Sequence, residues 1–425
     1  MSTNDDSDVL TDGEVPSADV PAKVGPLFLT LFGLMNFGLY LTVMMPALFS
    51  LPYKVQQLAP GDKALMLGVV ATTGAIVTIL TGPLAGVLSD HTRTVWGRRR
   101  PWLVGGILVV LVGSIGVALA PTIPVVVIAW AVVSLGGSCT AAAITPVVAE
   151  RVPESQRGTL GAIVGVATQL GGVLGYTIGG LLTGNIVLLF VLPVLVLAVF
   201  AAAYMVVFPD STAPIEEATI AETFRMLVFN PREQRDFSLV WLGKLLMQTA
   251  LAFLTTYQLY FLGDRLGLTP EQAGQKLAIV GGVGILVTMT FAVVSGMLSD
   301  KFRRRKLFIV IASGLTAVGL ALMAFTDSFG LFFGAVLFVL GAAGMFGAVD
   351  VAMASDLVPD REQAGRWMTT YNLAASLPGA FAPLLGSGLL LIGDSSGGNY
   401  TALFLAGAVI ALGTGLVTSR IRGVR

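Results

Sequence analysis

The chain has 425 residues, 55% of them apolar and only 12% charged, and its 25 basic and 25 acidic residues cancel at neutral pH. Mean hydropathy is +0.84, a level that a water-soluble chain of this length could not sustain without aggregating, so the bilayer is read as its solvent. One cysteine, Cys139, and one histidine, His91, exclude an intramolecular disulfide and any metal site built from several cysteines or histidines.

Residues 1 to about 24 are polar and acidic, carrying Asp5, Asp6, Asp8, Asp12, Glu14 and Asp19, and read as a disordered tail. They lack the positive start and short apolar run of a secretory signal, so the first hydrophobic segment is expected to stay in the protein. A helix needs roughly 20 apolar residues to cross the hydrocarbon core. The chain divides into twelve such spans: 27–50, 64–88, 102–120, 123–149, 158–183, 186–208, 237–262, 275–298, 307–325, 329–352, 366–391 and 400–419. Pro121 and Pro124 separate the third from the fourth.

The expected fold class is an all-α membrane protein of two six-helix bundles. The organisation that follows is a tail at 1–24, a first bundle at 25–208, a linker at 209–236, a second bundle at 237–419 and a tail at 420–425. Twenty of the 25 basic residues fall in one set of loops and termini and four, Lys54, Lys63, Arg265 and Lys276, in the outer set, with Lys244 left inside a span. The positive-inside bias then places both termini and the linker in the cytoplasm, and the plasma (inner) membrane is the expected location.

The two halves repeat. Gly86-Val87-Leu88-Ser89-Asp90 returns 210 residues later as Gly296-Met297-Leu298-Ser299-Asp300, each copy ahead of a basic cluster: Arg98, Arg99 and Arg100 in the first half, Arg303, Arg304, Arg305 and Lys306 in the second. A second pair, the acid-x-x-Pro segments at Glu150 and Asp356, is offset by 206 residues. Parallel repeats of six spans imply a pseudo-twofold axis along the membrane normal and a central cavity, the architecture of secondary transport.

A carboxylate at the end of one helix, such as Asp90, can accept N–H donors from a neighbouring helix N-terminus, while the arginines beside it pair with acids at other helix ends. On these residues the loop after the second span resembles the major facilitator signature Gly-x-x-x-Asp-Arg-x-Gly-Arg-Arg, through Gly86, Asp90, Gly97, Arg98 and Arg99. Its lengthened form, ending in Gly97-Arg98-Arg99-Arg100-Pro101, is similar to the glycoside, pentoside and hexuronide cation symporters and to sucrose-transporter-like proteins. The resemblance implies that Asp90 clamps against span eleven near Gly365–Arg366 in the outward-open state. Glu150 is expected to pair with Arg98 to Arg100, and Asp356 with the cluster from Arg303 to Lys306.

The sequence departs from the pattern in places. His91 stands where arginine is usual, and Arg303 where the second copy would have glycine. Span two offers Thr72, Thr73, Thr78 and Thr81 in place of the cation-binding acids of melibiose-type symporters, which does not support sodium coupling. Gly175 to Gly180 approaches an antiporter signature, with Tyr176 in place of its proline.

Ionisable residues inside spans are costly and usually functional. Lys244 in span seven and Asp350 in span ten lie at similar depths and are expected to meet across the cavity. Among uncharged groups, Asn36 and Tyr40 at i, i+4 in span one, Ser134, Ser138 and Thr145 in span four, Gln169 in span five, Gln248 in span seven and Asn372 in span eleven are candidates for contact with a polyol or sugar. The same residue types also join membrane helices to one another. No phosphate loop, metal cluster or catalytic triad is found, and neither an enzyme activity nor a cofactor is expected. The expected function is secondary transport of a small polar solute, a sugar or glycoside, by alternating access, with a proton as candidate co-substrate. The expected state is a monomer in the lipid bilayer with no nucleic-acid partner. Export of amphipathic compounds, or sensing without transport, are the alternatives.

Overall fold

Proline and short polar side chains decide where the helices begin. Across residues 23–210, 229–361, 363–393 and 398–423, which the computed structural model describes, twelve helices are long and apolar enough to cross a membrane. The first six are α1 (Pro26–Leu58), α2 (Lys63–His91), α3 (Arg100–Leu119), α4 (Ile123–Ile144), α5 (Glu154–Leu181) and α6 (Ile186–Val207). The second six are α7 (Arg235–Asp264), α8 (Pro270–Phe302), α9 (Arg305–Ala324), α10 (Phe329–Asp356), α11 (Ala364–Leu390) and α12 (Tyr400–Ser419). The N-terminal tail to residue 22, the middle of the linker and the end of the C-terminal tail lie outside the described residues.

Proline occupies the first turn of α1, α3, α4 and α8, where its missing N–H is not needed. Asn185, Thr269, Ser328 and Asn399 cap α6, α8, α10 and α12 through their side-chain oxygens, Thr269 within a full capping box with Gln272. Inside the helices, hydroxyls such as Thr73, Thr78, Thr140 and Thr168 return their protons to the carbonyl four residues back, which satisfies them without water.

Three expected boundaries change. The first span does not stop at residue 50; a π-turn at Pro46–Ser50 carries the helix on to Leu58, because proline at 46 removes one regular i−4 bond and the wider turn absorbs it. Lys54, expected in an outer loop, is thereby buried, and its Nζ donates to the carbonyl of Ala118 at 2.9 Å, satisfying an orphan acceptor in the last turn of α3. The fourth span ends at Ile144, ahead of Pro146, and continues as a separate short helix Val147–Arg151. The eleventh is two helical pieces, Ala364–Ser376 and Pro378–Leu390, meeting at Leu377.

Packing repeats as the sequence does. In the first half α3 packs on α4, α2 on α4, α1 on α5 and α6, and α3 on α6. The second half repeats each contact six helices later: α9 on α10, α8 on α10, α7 on α11 and α12, and α9 on α12. The halves meet along α2 with α11 and α5 with α8, pairs that interchange when each helix is replaced by its counterpart. That closure is what a twofold axis between two six-helix bundles requires.

The halves touch unevenly along their length. A Cβ at Gly68 in α2 would lie 2.9 Å from the Pro383 carbonyl oxygen of α11, and one at Gly180 in α5 would lie 3.4 Å from the Gly274 Cα of α8. Toward the end that carries the arginine loops, hypothetical Cβ atoms at Gly82 and Gly86 of α2, and at Gly365 of α11, meet nothing within 4 Å. Helices α2 and α11 therefore press together at the opposite end and diverge toward the basic one.

Candidate functional site

Between the halves lies a cavity of about 470 Å³, formed mostly by the first bundle. Helix α1 contributes Asn36 and Tyr40, α2 contributes Gly74 and Thr78, α4 contributes Trp130, Ser134 and Ser138, and the turn after α4 contributes Thr145. The second half closes it with Thr255 and Thr256 of α7 and with Gly379 and Pro383 of α11. No charged residue lines it, and neither does methionine or phenylalanine. The Asn36 amide spends one of its two N–H donors on the Phe32 carbonyl at 2.8 Å, which leaves the other N–H and the acceptor oxygen. Glycine at 74 makes room for Trp130, since a Cβ there would sit 2.3 Å from the indole Nε1 and 2.8 Å from Ser134 Oγ.

Three expected cavity residues are not in its wall. Gln169 and Asn372 are exposed and Gln248 is half-buried, and none lines the cavity. For Gln169 the reason is the small-residue face of α5: Gly171, Gly175 and Gly179 lie against Tyr40, Met45 and Phe49 of α1, and that packing turns the glutamine away.

Lys244 and Asp350 do come together, with Nζ 3.9 Å from Oδ2. Neither residue lines the cavity described above, so the pair is a contact inside the second bundle and not, as expected, one across the cavity. Asp350 is 2% exposed and packed inside the second bundle among α7, α10 and α11. Tyr371, fully buried on α11, completes the group: its hydroxyl donates to Asp350 Oδ2, and Lys244 Nζ stands 3.5 Å from the centre of its ring. One acid, one base and one phenol thus satisfy each other away from lipid.

At the basic end the first-half cluster closes on Glu150. Arg98 Nη2 and Arg99 Nη2 lie 2.7 and 2.8 Å from Glu150 Oε1, and Arg99 Nη2 also lies 2.6 Å from Asp90 Oδ1. Arg100 instead donates to the carbonyls of Met205 and Phe208 at the end of α6. Asp210 accepts from the backbone N–H groups of Arg99 and Arg100 at 2.6 and 3.1 Å, capping α3 from the start of the linker. This contact explains Gly97, whose φ is 103° and where a Cβ would lie 2.4 Å from the Asp210 carboxylate.

In the second half the base that pairs is Arg305, bonded to Asp356 and 3.6 Å from Asp300. The side chains of Arg303 and Arg304, members of the same cluster, make no hydrogen bond or ion pair among the described residues; the two residues form the sharp turn between α8 and α9, and the Arg304 carbonyl accepts the Leu307 N–H at 3.2 Å. Gly296, the counterpart of Gly86, has only Ala348 within 4.0 Å of a hypothetical Cβ.

The opposite end carries bridges between the halves, and four of them spring from the last two turns of α7. Asp264 pairs with Lys63 at 2.5 Å, Tyr260 donates to the Pro52 carbonyl at 2.8 Å, Tyr257 reaches the Ala64 carbonyl at 3.4 Å, and Gln258 donates to the Tyr176 hydroxyl. Tyr400 holds Asp264 from the second-half side at 2.6 Å.

Sequence reasoning missed Trp130, Tyr371, Asp210 and the Lys63–Asp264 pair. Trp130 was within reach, since it stands four residues before Ser134 and eight before Ser138 on one helical face. The others depend on tertiary contacts that no local spacing reports.

Comparison with known proteins places this geometry. The Major Facilitator Superfamily profile matches residues 27–291 and 240–424. An uncharacterized symporter of Synechocystis sp. is 44% identical over 48 residues, a match covering 11% of this chain and 9% of that protein. Among solved structures, a point mutant of the nucleoside transporter NupG aligns with TM-score 0.75 at 11% identity, over 93% of this chain and 99% of its own. A D-xylose-proton symporter aligns with TM-score 0.69 at 18% identity, over 93% and 96%. A POT family transporter in complex with 5-aminolevulinic acid aligns with TM-score 0.70 at 14% identity, over 94% and 97%. At such identities these structures speak for the shared fold, and with the profile match the chain belongs to the Major Facilitator Superfamily of membrane transporters.

Proposed function

We propose that this transporter carries a neutral, hydroxyl-rich ring compound, a sugar or glycoside, with a proton as co-substrate. The observation that supports it most is the wall of the cavity. It has no charge to hold an ionic solute, but an indole, a phenol, an amide oxygen and a row of hydroxyls to meet C–H faces and hydroxyl groups. Aromatic and methionine side chains without an amide would suit export of amphipathic compounds; here Asn36 is in the wall and methionine is not. The cargoes named for two fold neighbours, nucleosides and D-xylose, are also hydroxyl-bearing rings.

The coupling site in this reading is Asp350, the one carboxylate buried beside a base inside the spans among the described residues. The gate is the basic loop of each half: Asp90 with Arg98, Arg99 and Glu150, and Asp300 with Arg305 and Asp356. By the excess of lysine and arginine the basic end faces the cytoplasm of the plasma (inner) membrane, so the conformation described is open inward and held shut outward by α7.

A panel of neutral sugars, nucleosides and amphipathic drugs, scored by thermal shift on the purified protein at two pH values, tests the reading. Stabilisation by a sugar that Trp130→Ala and Asn36→Ala both abolish is the expected result. Stabilisation by the drugs alone would replace it with export.

A further inference from the structure

Helix α11 is interrupted at Leu377–Pro378, where proline removes one backbone N–H while Leu377 keeps helical dihedrals (φ −55°, ψ −41°), and the pieces on either side of this proline break have different attachments. The piece after the break belongs to the cavity and to the partner half: Gly379 and Pro383 line the cavity, and a Cβ at Gly379 would lie 3.3 Å from Ala75 of α2. The piece before the break is fastened into its own bundle. Tyr371 donates to Asp350, the Trp241 indole donates to the Thr370 carbonyl at 2.9 Å, and Trp367 packs edge-on against Phe237 with ring centres 5.0 Å apart. From Tyr371 to Gly379 is eight residues, about 12 Å of helix.

We propose that Tyr371 is the positioning residue that transmits the protonation state of Asp350 to the cavity wall, through the break in α11. The proposal rests on the proton co-substrate reading above and gives it a route. As a carboxylate, Asp350 accepts the phenol proton in a charge-assisted bond and faces Lys244. When it binds a proton, no other covalent bond changes, but the bond to Tyr371 becomes one between neutral groups, about half as strong. The hold on the first piece of α11 weakens, and the break lets that piece move against the second.

The surroundings leave few competitors. Of the helices packed on α10, α7 brings Lys244 and α11 brings Tyr371 to Asp350. Helix α9 sends Arg305 to Asp356 and to the Ala352 carbonyl, nearer the basic end. Helix α8 meets α10 through Thr288, which donates to the Leu340 carbonyl. Its charged residues, Glu271, Lys276, Asp300 and Lys301, lie toward its ends.

The test needs no substrate. Spin labels at Val95→Cys and Phe302→Cys, both exposed at the basic end of opposite halves, are placed on the full chain in a Cys139→Ser background and their distance is measured across pH. The protein with native residues at 350 and 371 is expected to show a pH-dependent shift between two distances, absent in Asp350→Asn. Tyr371→Phe, which keeps the ring beneath Lys244, is expected to move the midpoint to higher pH by about one unit, because the carboxylate loses a donor to its charged form. Trp241→Phe, which frees the same helix piece without touching the acid, should leave the midpoint in place. An unchanged midpoint in Tyr371→Phe, with the response still lost in Asp350→Asn, overturns the role of Tyr371 and leaves the proton site standing. The absence of any response in the unmutated pair overturns the proton reading itself. Should Tyr371→Phe fold poorly, maleimide labelling of Gly379→Cys with and without Asp350→Asn, compared at each pH, reads the cavity wall directly. Equal ratios at every pH would reject transmission through α11.

Discussion

The two ends of the molecule are bonded on different plans. At the basic end the ion pairs run within a half: Arg98 and Arg99 to Glu150, Asp90 to Arg99, Arg305 to Asp356. At the other end Lys63–Asp264, Tyr260–Pro52 and Gln258–Tyr176 run between halves. A contact inside a half can persist whichever way the halves tilt, so it adds first to folding stability and switches only where its own protonation changes, as proposed for Asp350. A contact between halves exists in one tilt only and adds to the population of that state. Which residues stabilise and which switch can therefore be told from the partner's side of the axis.

The largest test of that division is the buried pair. Removing Asp350 or Lys244 alone leaves an unpaired charge or a lone base inside the second bundle, and Asp350→Ala and Lys244→Met should each cost about 3–5 kcal/mol of stability. The double replacement should cost less than either, with a coupling term visible in a cycle measured by thermal denaturation. Recovered expression without concentrative uptake in the double variant would fit Asp350 as the proton carrier. Additive costs would mean the two residues do not interact.

The Lys63–Asp264 bridge should behave in the opposite way. Both side chains are 17% exposed, so Asp264→Asn should change folding stability little but lower the population of the present state by about 1 kcal/mol, roughly fivefold in the equilibrium. Increased labelling of Thr256→Cys by an impermeant reagent from the side opposite the arginine loops would show it, and exchange of the two charges, Lys63→Asp with Asp264→Lys, should restore the original rate. A melting temperature that falls as far as in Asp350→Ala would place this pair with the stabilising contacts instead.

Much of this was legible in the residues. Apolar run lengths gave twelve helices, and the repeated Gly86–Asp90 and Gly296–Asp300 segments gave the twofold arrangement, because both signals are local and survive without an alignment. Glu150 beside Arg98 and Arg99 follows from charge and loop placement. What the residues could not show was facing. Gln169 and Asn372 carry suitable chemistry, but helix rotation is set by packing, as the glycines of α5 against α1 demonstrate. Lys244 and Asp350 were placed at one depth by counting residues, yet Tyr371, which bonds Asp350 and lies against Lys244, comes from a helix more than a hundred residues from Lys244. Lys54 looked like a loop lysine until the π-turn at Pro46–Ser50 carried it into the helix.

Asp90 tests the comparison from the basic end. It is paired with Arg99 here, but Glu150 holds the same guanidinium, so the pair is partly redundant in this state. If Asp90 also meets the start of α11 when the basic end closes, Asp90→Asn removes a contact with a helix N-terminus there, worth about 0.5–1 kcal/mol. The expected outcome is a shift toward the present conformation and slower transport with unchanged melting. Labelling of inner and outer cavity cysteines that matches the parent protein would make Asp90 a contributor to topology alone.

The smallest effect belongs to the turn where the two copies differ. Arg303 ends α8 with φ 52° and ψ 39°, the one positive φ outside glycine among the described residues, and within that set it makes no bond that would hold it there. A side chain in that conformation costs roughly 1–2 kcal/mol, whereas glycine adopts it freely but loses some of the gain to a more flexible unfolded chain. The balance predicts that Arg303→Gly raises stability by about 0.5 kcal/mol. It should leave the Arg305–Asp356 pair and the gate unaffected, because the turn sets only the angle between α8 and α9 within one half. A slower transporter with the same melting temperature would show that the angle of this turn takes part in the switch, and that the second-half loop does more than stabilise its own bundle.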